Sequence, residues 1–318
     1  MRSWSILFPD LEGLEGFLCS KGRPSIPETL DPWLEPPFVD AASGRLKGLF
    51  KERLLPEKLE RAYFGVEFCQ RLIPDGDSLR KAISLVREAR LSFSFVTPPV
   101  TDSGIEELRS RFTLLERESG CSNGIEVVVN DWGTLRLLRK EFPGLQPVFG
   151  RMMNKMIRDP RVTPYYATSK APPDGLLAVQ QSSLSNPAFQ RALLEWGVGR
   201  HEFDNLIQGL RLEPDGASAL SVYIPYGYVA TGRVCMPGSF GLPKALKFTE
   251  YMGCQKECQS YTLRLRNTES PFTNRDLELI QRGNTIFYPH TLAMLEAVLE
   301  GESSSAVDRI VYQPNLPM

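Results

Sequence analysis

Residues 62–69 read AYFGVEFC, and the runs LSFSFV at 91–96 and IEVVV at 125–129 follow at similar intervals. Each run is short, apolar and rich in β-branched or aromatic residues, as buried strands are. Between the runs, residues 77–90 and the stretch from residue 102 carry apolar side chains three and four positions apart, which is typical of an amphipathic helix. Strands that alternate with helices in this way predict βαβ units and a parallel sheet.

The same alternation continues on both sides of this stretch. Further strands are expected at 3–8 (SWSILF), 147–152, 176–180, 199–203 and 219–226 (ALSVYIPY). Further helices are expected at 11–18, 134–142, 186–197, 204–210 and 291–300. About eight parallel strands in one chain favour a closed (β/α) barrel, similar to a TIM barrel, over an open doubly wound sheet. The sequence has neither a G-x-G-x-x-G turn after the first strand nor a G-x-x-x-x-G-K-[ST] loop, which disfavours the nucleotide-binding folds that use them.

Three segments depart from the alternation, and we assign them all to a single barrel domain that spans residues 1–318. Residues 20–56 are rich in Pro and Gly and are expected to form an irregular insertion. Residues 159–174 are expected to form a second irregular loop. Residues 262–318 mix short strand and helix patterns, and we expect them to close the barrel rather than to form a separate domain.

Composition disfavours several classes of function. The chain has 318 residues, of which 37 are basic and 38 acidic, so a nucleic-acid partner is not expected on grounds of charge. No apolar run reaches the about 20 residues of a membrane span, and the first residues lack the pattern of a signal peptide. We therefore expect a soluble cytoplasmic protein. The two histidines, His201 and His290, are too few for a multi-histidine metal site and are expected to be structural or surface residues.

Four of the six cysteines are expected to meet at one end of the barrel. Cys69 would be the last residue of its strand, Cys235 comes shortly after the strand at 219–226, and Cys254 and Cys258 form a C-x3-C pair. The carboxyl ends of barrel strands and the loops after them form one face. Four thiolates on that face suit a [4Fe–4S] cluster or a tetrahedral zinc ion, whereas single cysteines are often small buried apolar residues. Spacing alone leaves these alternatives open.

Several motifs resemble the collagenase-like, U32-type peptidase family. Within that family they are similar to the UbiU/UbiV-type iron–sulfur proteins of oxygen-independent ubiquinone biosynthesis, the UbiV-like members in particular. The matching segments cover most of the chain outside the two irregular loops and are YFGVEFC (63–69), EVVVNDWG (126–133), QPVFGRMMNK (146–155), VYIPYGYVATGRVC (222–235) and VDRIVYQP (307–314). The most specific part is the G-R-x-C sequence that ends at Cys235, with the C-x3-C pair downstream.

The resemblance implies a [4Fe–4S] cluster held by one cysteine after the second strand and three after the last. Those family positions fall on Cys69, Cys235, Cys254 and Cys258. Two further cysteines match no family position and are expected to be structural: Cys19 and Cys121. The resemblance also implies a subunit of an oxygen-independent hydroxylation system that acts on a ubiquinone precursor. Such a subunit would pair with a related barrel paralogue as a heterodimer, with prephenate as a possible oxygen donor.

Other functions within reach of the same residues stay open. The gap between Cys235 and the C-x3-C pair is longer than the family pattern, and the insertion at 20–56 is unusual, which leaves the substrate undecided. A tRNA or rRNA hydroxylase of the same family is one alternative, and a non-catalytic cluster-binding partner subunit is another. A peptidase is disfavoured because the sequence shows neither a nucleophile–base pair nor a zinc motif.

Three polar residues are weak candidates for catalysis. Asp131 follows the strand at 125–129 and would either take part in acid–base chemistry or cap the next helix. Asn154 would hydrogen bond a substrate, and Arg233 would hold an anionic substrate or stabilise the charge of a cluster. Two further polar residues are noted: Arg151, after the fifth strand, would clamp a carboxylate, and Glu67, inside its strand, would act in catalysis or in a buried salt bridge within the barrel.

Overall fold

Eight parallel strands close into a barrel with helices between them, an α/β architecture of the TIM-barrel type, in a computed structural model of the chain. The model describes residues 2–19, 58–118, 124–160, 163–166, 168–211, 218–249, 253–265, 279–301 and 306–318. The predicted fold class is therefore confirmed.

The secondary-structure elements are numbered here in chain order. The strands of the described residues are β1 (Ser3–Phe8), β2 (Lys58–Gly65), β3 (Ser92–Val96), β4 (Glu126–Val129), β5 (Gln146–Phe149), β6 (Arg200–Asp204), β7 (Ala219–Ile224), β8 (Tyr226–Thr231), β9 (Thr262–Leu265), β10 (Leu279–Arg282), β11 (Thr285–Pro289) and β12 (Arg309–Tyr312). The helices are α1 (Leu11–Cys19), α2 (Gly76–Glu88), α3 (Asp102–Glu118), α4 (Trp132–Glu141), α5 (Thr163–Tyr166), α6 (Gly175–Gln180), α7 (Pro187–Glu195), α8 (Met236–Ser239) and α9 (Leu292–Glu300).

The barrel is closed by its last strand in the chain. Around the barrel the strand order is β1–β12–β7–β6–β5–β4–β3–β2. β12 pairs in parallel with β1 on one side and with β7 on the other, so the segment after residue 306 supplies the closing strand. The wider assignment of one domain to residues 1–318 stays a prediction.

The helices cover the barrel with the apolar faces that their sequences predict. In α2 the buried side chains are those of the predicted stripe, namely Leu79, Ala82, Ile83 and Val86. Asp75 caps this helix by accepting a hydrogen bond from the backbone N–H of Ser78 at 2.8 Å. The periodic pattern therefore forms a helix because it has both a cap and an apolar surface to pack on.

A smaller antiparallel sheet lies over the carboxyl end of the barrel. Its strand order is β8–β11–β10–β9, and the turn Gly283–Asn284 joins β10 to β11. Phe68, in the loop after β2, packs edge-on against Tyr228 of β8 and Phe287 of β11, with 5.2 Å between ring centroids in each case. These aromatic contacts join the sheet to the barrel loops.

Three sequence predictions are wrong in detail. Residues 176–180 form helix α6 rather than a strand, because a short apolar run does not distinguish the two structures. Residues 205–210 form turns and irregular backbone rather than a helix, and Asn205 there donates to the carbonyl of Met294 at 2.8 Å. β2 spans Lys58–Gly65, so it ends before Cys69.

Two further predictions concern the insertion and membrane-spanning helices. The insertion predicted at 20–56 lies outside the described residues. Within the part of the chain that is described, no helix combines the length and apolar character needed to cross a bilayer.

Candidate functional site

The side chains of Cys69, Cys235, Cys254 and Cys258 line one pocket between the barrel loops and the small sheet. All four are free thiols, with Cys69 and Cys258 buried and Cys235 and Cys254 half-buried. The cavity that they line has a volume of about 20 Å³. The structure thus brings together the four cysteines that the motifs single out.

Cys69 reaches the pocket from a loop and not, as the sequence predicts, from the last position of a strand. The strand ends at Gly65, which has a φ of +120°, and a Cβ there would lie 2.4 Å from the carbonyl oxygen of Val96. Only glycine fits at this position, because a side chain would collide with the neighbouring strand. The regular pairing of β2 ends there. The next residues turn towards the small sheet, and the carbonyl of Cys69 accepts a hydrogen bond from Leu72 at 3.1 Å.

Cys235 is held beside Cys69 by a residue that the sequence analysis did not identify. The side-chain amide of Asn284 donates to the carbonyl of Phe68 at 2.8 Å and to the carbonyl of Gly232. It therefore ties the loop of Cys69 to the loop of Cys235. Gly283–Asn284 is a dipeptide that favours a tight hairpin turn, and this signal would have placed Asn284 at a sheet edge.

Cys258 is positioned by the same hairpin. Its carbonyl accepts a hydrogen bond from Nε of Arg282 at 2.8 Å. Gly283 has a φ of +57°, and a Cβ there would lie 3.1 Å from the Cβ of Cys258 and 2.1 Å from Cε of Met318. The backbone of the β10–β11 turn therefore lies directly against Cys258 on this side of the pocket.

The pocket disfavours thiolates unless a cation is present. Burial raises the pKa of Cys69 and of Cys258 to about 11, and it also raises the pKa of Cys235. Repulsion between neighbouring thiolates adds to the shift at Cys69 and Cys258. A bound metal centre would lower these pKa values, because its positive charge stabilises coordinated thiolates.

A cluster and a single ion require different spacings of their cysteine ligands. Within the described residues, no three His, Cys, Asp or Glu side chains come together as a group able to hold one metal ion. A tetrahedral zinc ion requires Zn–S distances of about 2.3 Å and hence closely grouped sulfurs. In a [4Fe–4S] cluster each cysteine ligates its own iron, so the sulfurs lie further apart around a larger body. Four thiols around one pocket are the donor set that a [4Fe–4S] cluster takes.

The axis of the barrel is filled by ion pairs at its carboxyl end. Arg151 is fully buried and binds Glu67 through two hydrogen bonds of 2.6 and 2.9 Å. It also donates to Asp204 at 2.8 Å, and Arg158 donates to the other oxygen of Asp204 at 2.7 Å. The guanidinium of Arg151 lies over the ring of Tyr223, 4.2 Å from its centroid. Glu67 thus takes part in a buried salt bridge, one of its two predicted roles.

Of the three weak catalytic candidates, Arg233 lines the cysteine pocket. Asp131 caps α4, where it accepts from the backbone N–H groups of Thr134 at 2.7 Å and Val100 at 3.2 Å. Asn154 is fully buried, and its side-chain oxygen accepts from the hydroxyl of Ser183 at 3.1 Å. The structure therefore brings only Arg233 of the three to the cysteines.

Both histidines are buried. His201 packs edge-on against Phe149, with 6.0 Å between ring centroids. Burial lowers the pKa of His290 to about 3, so its imidazole is neutral at physiological pH. Neither residue lines the cysteine pocket.

Comparisons with known proteins found no matching family model and no matching curated protein. Among solved structures, the chain is similar to a U32 peptidase, with a TM-score of 0.41 and 12% identity over 100% of this chain and 95% of that one. It is also similar to a glycoside hydrolase family 18 N-acetylglucosaminidase from Paenibacillus barengoltzii, with a TM-score of 0.29 and 8% identity over 80% of this chain and 88% of that one. Likenesses at these scores carry no argument about function.

Proposed function

We propose that Cys69, Cys235, Cys254 and Cys258 hold a [4Fe–4S] cluster. The observation that carries the proposal is the pocket itself, because thiols from three separate parts of the chain line it and all four are free. Iron–sulfur clusters of this type are held by four cysteine thiolates. When bound, the cluster would supply one-electron chemistry at the carboxyl end of the barrel.

The chain's own residues would exclude water from the cluster and hold a substrate beside it. Leu72 and Met318 supply apolar wall, while Arg71 and Arg233 bring positive charge to the same pocket. Guanidinium groups bind carboxylates in a fixed geometry, so an anionic co-substrate such as prephenate suits this lining.

We further propose that the protein is a subunit of an oxygen-independent hydroxylation system that acts on a ubiquinone precursor. The support is the resemblance of its motifs to UbiU/UbiV-type proteins, above all the G-R-x-C sequence at residues 232–235 with the C-x3-C pair downstream. The same resemblance supports a heterodimer with a related barrel paralogue.

Iron and sulfide analysis after anaerobic purification tests the cluster. The wild type is expected to contain about four iron and four sulfide per chain and to absorb broadly near 400 nm. Cys69→Ser is expected to lose most of both. Cys121→Ser is the matched control, because Cys121 matches no family position, and it should keep the wild-type content. Zinc or no metal in the wild type, or equal losses in both variants, would contradict the proposal.

One observation favours a second candidate, a non-catalytic cluster-binding partner subunit. Glu67 and Asp204 are engaged by Arg151, and Asp131 caps a helix, so these carboxylates are not poised for acid–base chemistry. Hydroxylation by the reconstituted heterodimer distinguishes the two roles. A partner subunit should tolerate Arg233→Ala with an unchanged rate, whereas a substrate-binding subunit should show a raised KM for its anionic substrate.

A further inference from the structure

Three large exposed apolar side chains lie next in the chain to residues that line the cysteine pocket. Met236 is 48% exposed, Phe240 58% and Phe248 82%. Each is next in the chain to a residue that lines the pocket, and those neighbours are Cys235, Ser239 and Thr249. Exposed apolar groups that cluster beside a polar rim mark surfaces that bind other proteins.

Basic side chains accompany these apolar ones. Lys244, Lys247 and Lys256 lie in the same two segments, two residues from pocket-lining positions. Among the described residues of 233–249 and 253–265, Glu257 is the acidic side chain, and Arg233 and Arg264 are further basic ones. The described residues of these two segments thus carry five basic side chains and one acidic one, whereas the whole chain has a net charge of −1. We call the six side chains Met236, Phe240, Phe248, Lys244, Lys247 and Lys256 the pocket rim.

The two more exposed cysteines lie in the segments that carry the rim. Cys235 and Cys254 are half-buried, whereas Cys69 and Cys258 are buried. A protein that docks on these segments would therefore come close to the exposed side of a group held by the four thiols.

We propose that the pocket rim is the docking site of a small acidic electron-carrier protein of the ferredoxin or flavodoxin class. The proposal rests on the cluster proposed above. The docked carrier gives up one electron and is oxidised by one unit, while the group held by the thiols is reduced by one unit, and no bond forms or breaks. A positive rim around apolar contacts steers and orients a negatively charged partner.

Other occupants fit the rim less well. A second copy of this chain would set two positive rims against each other, which costs free energy through like-charge contact. The phosphates of a nucleic acid would pair with the lysines, but neither a phosphate nor a base edge would bind the exposed apolar side chain of Met236. Transient redox complexes use small interfaces, below about 1,200 Å², which three apolar and three basic side chains from two short segments suit.

Binding measurements on the anaerobically purified protein test the proposal, with a plant-type ferredoxin and a flavodoxin as probes. The wild type is expected to bind at least one of them, with a Kd that rises about tenfold between low and moderate salt. The double variant Lys244→Glu/Lys247→Glu should raise the Kd at least about tenfold, and Phe248→Ser should raise it several-fold. Lys140→Glu is the matched control, because Lys140 lies in the last turn of α4, towards the amino ends of the strands, and its Kd should stay within about twofold.

The rate at which the reduced probe bleaches the cluster absorbance gives an independent second reading, and it should fall in the same variants. Iron content is measured on each sample, so the two proposals fail separately. A full cluster without carrier binding, or with a double variant that binds as the wild type does, overturns the docking site alone. Absence of iron overturns the cluster and the docking site with it. Binding of RNA or self-association through the rim in place of carrier binding also overturns the proposal.

Discussion

Gly283 shows how a single residue without a side chain shapes the cysteine pocket. Its φ of +57° and its approach to Cys258 and Met318 both exclude a Cβ. We expect Gly283→Ala to displace Cys258 and to lower the iron content by at least about half, with a loss of roughly 1–2 kcal/mol in the free energy of unfolding. Gly241→Ala is the control, because nothing lies within 4 Å of a Cβ at that position. Equal iron content in the two variants would show that the turn does not position the thiol.

Glu202, inside the barrel, makes the free energy of unfolding depend on pH. Burial raises the pKa of this carboxyl group to about 8, and Oε2 accepts a hydrogen bond from the hydroxyl of Tyr223 at 2.7 Å. The unfolded chain releases the proton near pH 4.5, so between that pH and about 8 the folded state binds the extra proton. The free energy of unfolding therefore falls as pH rises through this window.

The variant Glu202→Gln isolates that effect. The amide keeps an acceptor for Tyr223 and cannot ionise, so urea unfolding should show a similar stability to wild type near pH 5 and a higher one at pH 9. A pH dependence that is equally steep in both proteins would mean that other groups cause it.

At the level of elements, Arg151 joins the loops and strand ends that meet over the barrel axis. Glu67 follows β2, Arg151 follows β5, and Asp204 ends β6, so one side chain connects three parts of the barrel. Arg151→Met would leave Glu67 buried without its cation and Asp204 with Arg158 alone. We expect a loss of about 3–5 kcal/mol in the free energy of unfolding, measured by urea titration.

The surface pair of Arg80 and Asp77 on α2 provides the comparison. Both side chains are largely exposed, so Arg80→Met should cost less than about 1 kcal/mol. A cost at Arg151 no larger than that at Arg80 would mean that the buried pairs contribute no more than surface pairs do.

The sequence predicts elements well where a pattern is long or repeated. α2 and α3 have apolar stripes over several turns, and β3 and β4 are compact β-branched or aromatic runs, so their positions follow from periodicity. The six residues of α6 are too few to show a period, and their apolar run is equally typical of a strand. The sequence pattern does not predict the small sheet, because its pairing joins β8 to strands that come much later in the chain.

The site was predictable only in part for a related reason. Cysteine spacing and motif resemblance identify the four thiols, but pairings such as that of Glu67 with Arg151 depend on which side chains face each other across the closed barrel. No local pattern encodes such contacts. The same holds for Asn284, whose partners Phe68 and Gly232 are distant in sequence.

At the level of the whole molecule, the cysteine pocket joins the barrel to the small sheet. If the thiols hold a cluster, its removal by a chelator should loosen the stretches that carry them, because a ligand bound only to the folded state stabilises that state. Hydrogen exchange should quicken at residues 69–72, 235–239 and 254–258 and stay unchanged in β4. Quickening spread evenly over the barrel would instead indicate that the whole fold depends on the cluster.

The closing strand also determines when the barrel can close during protein synthesis. β1 is paired with β12, Ser3 being level with Arg309, so β1 must wait for a strand that is made much later. At about 5–20 residues per second, a ribosome needs tens of seconds to make the chain between them. During that time β1 lacks one neighbour and Cys69 has emerged without its three companions. Loading of any group that needs all four thiols therefore waits until Cys258 has been made.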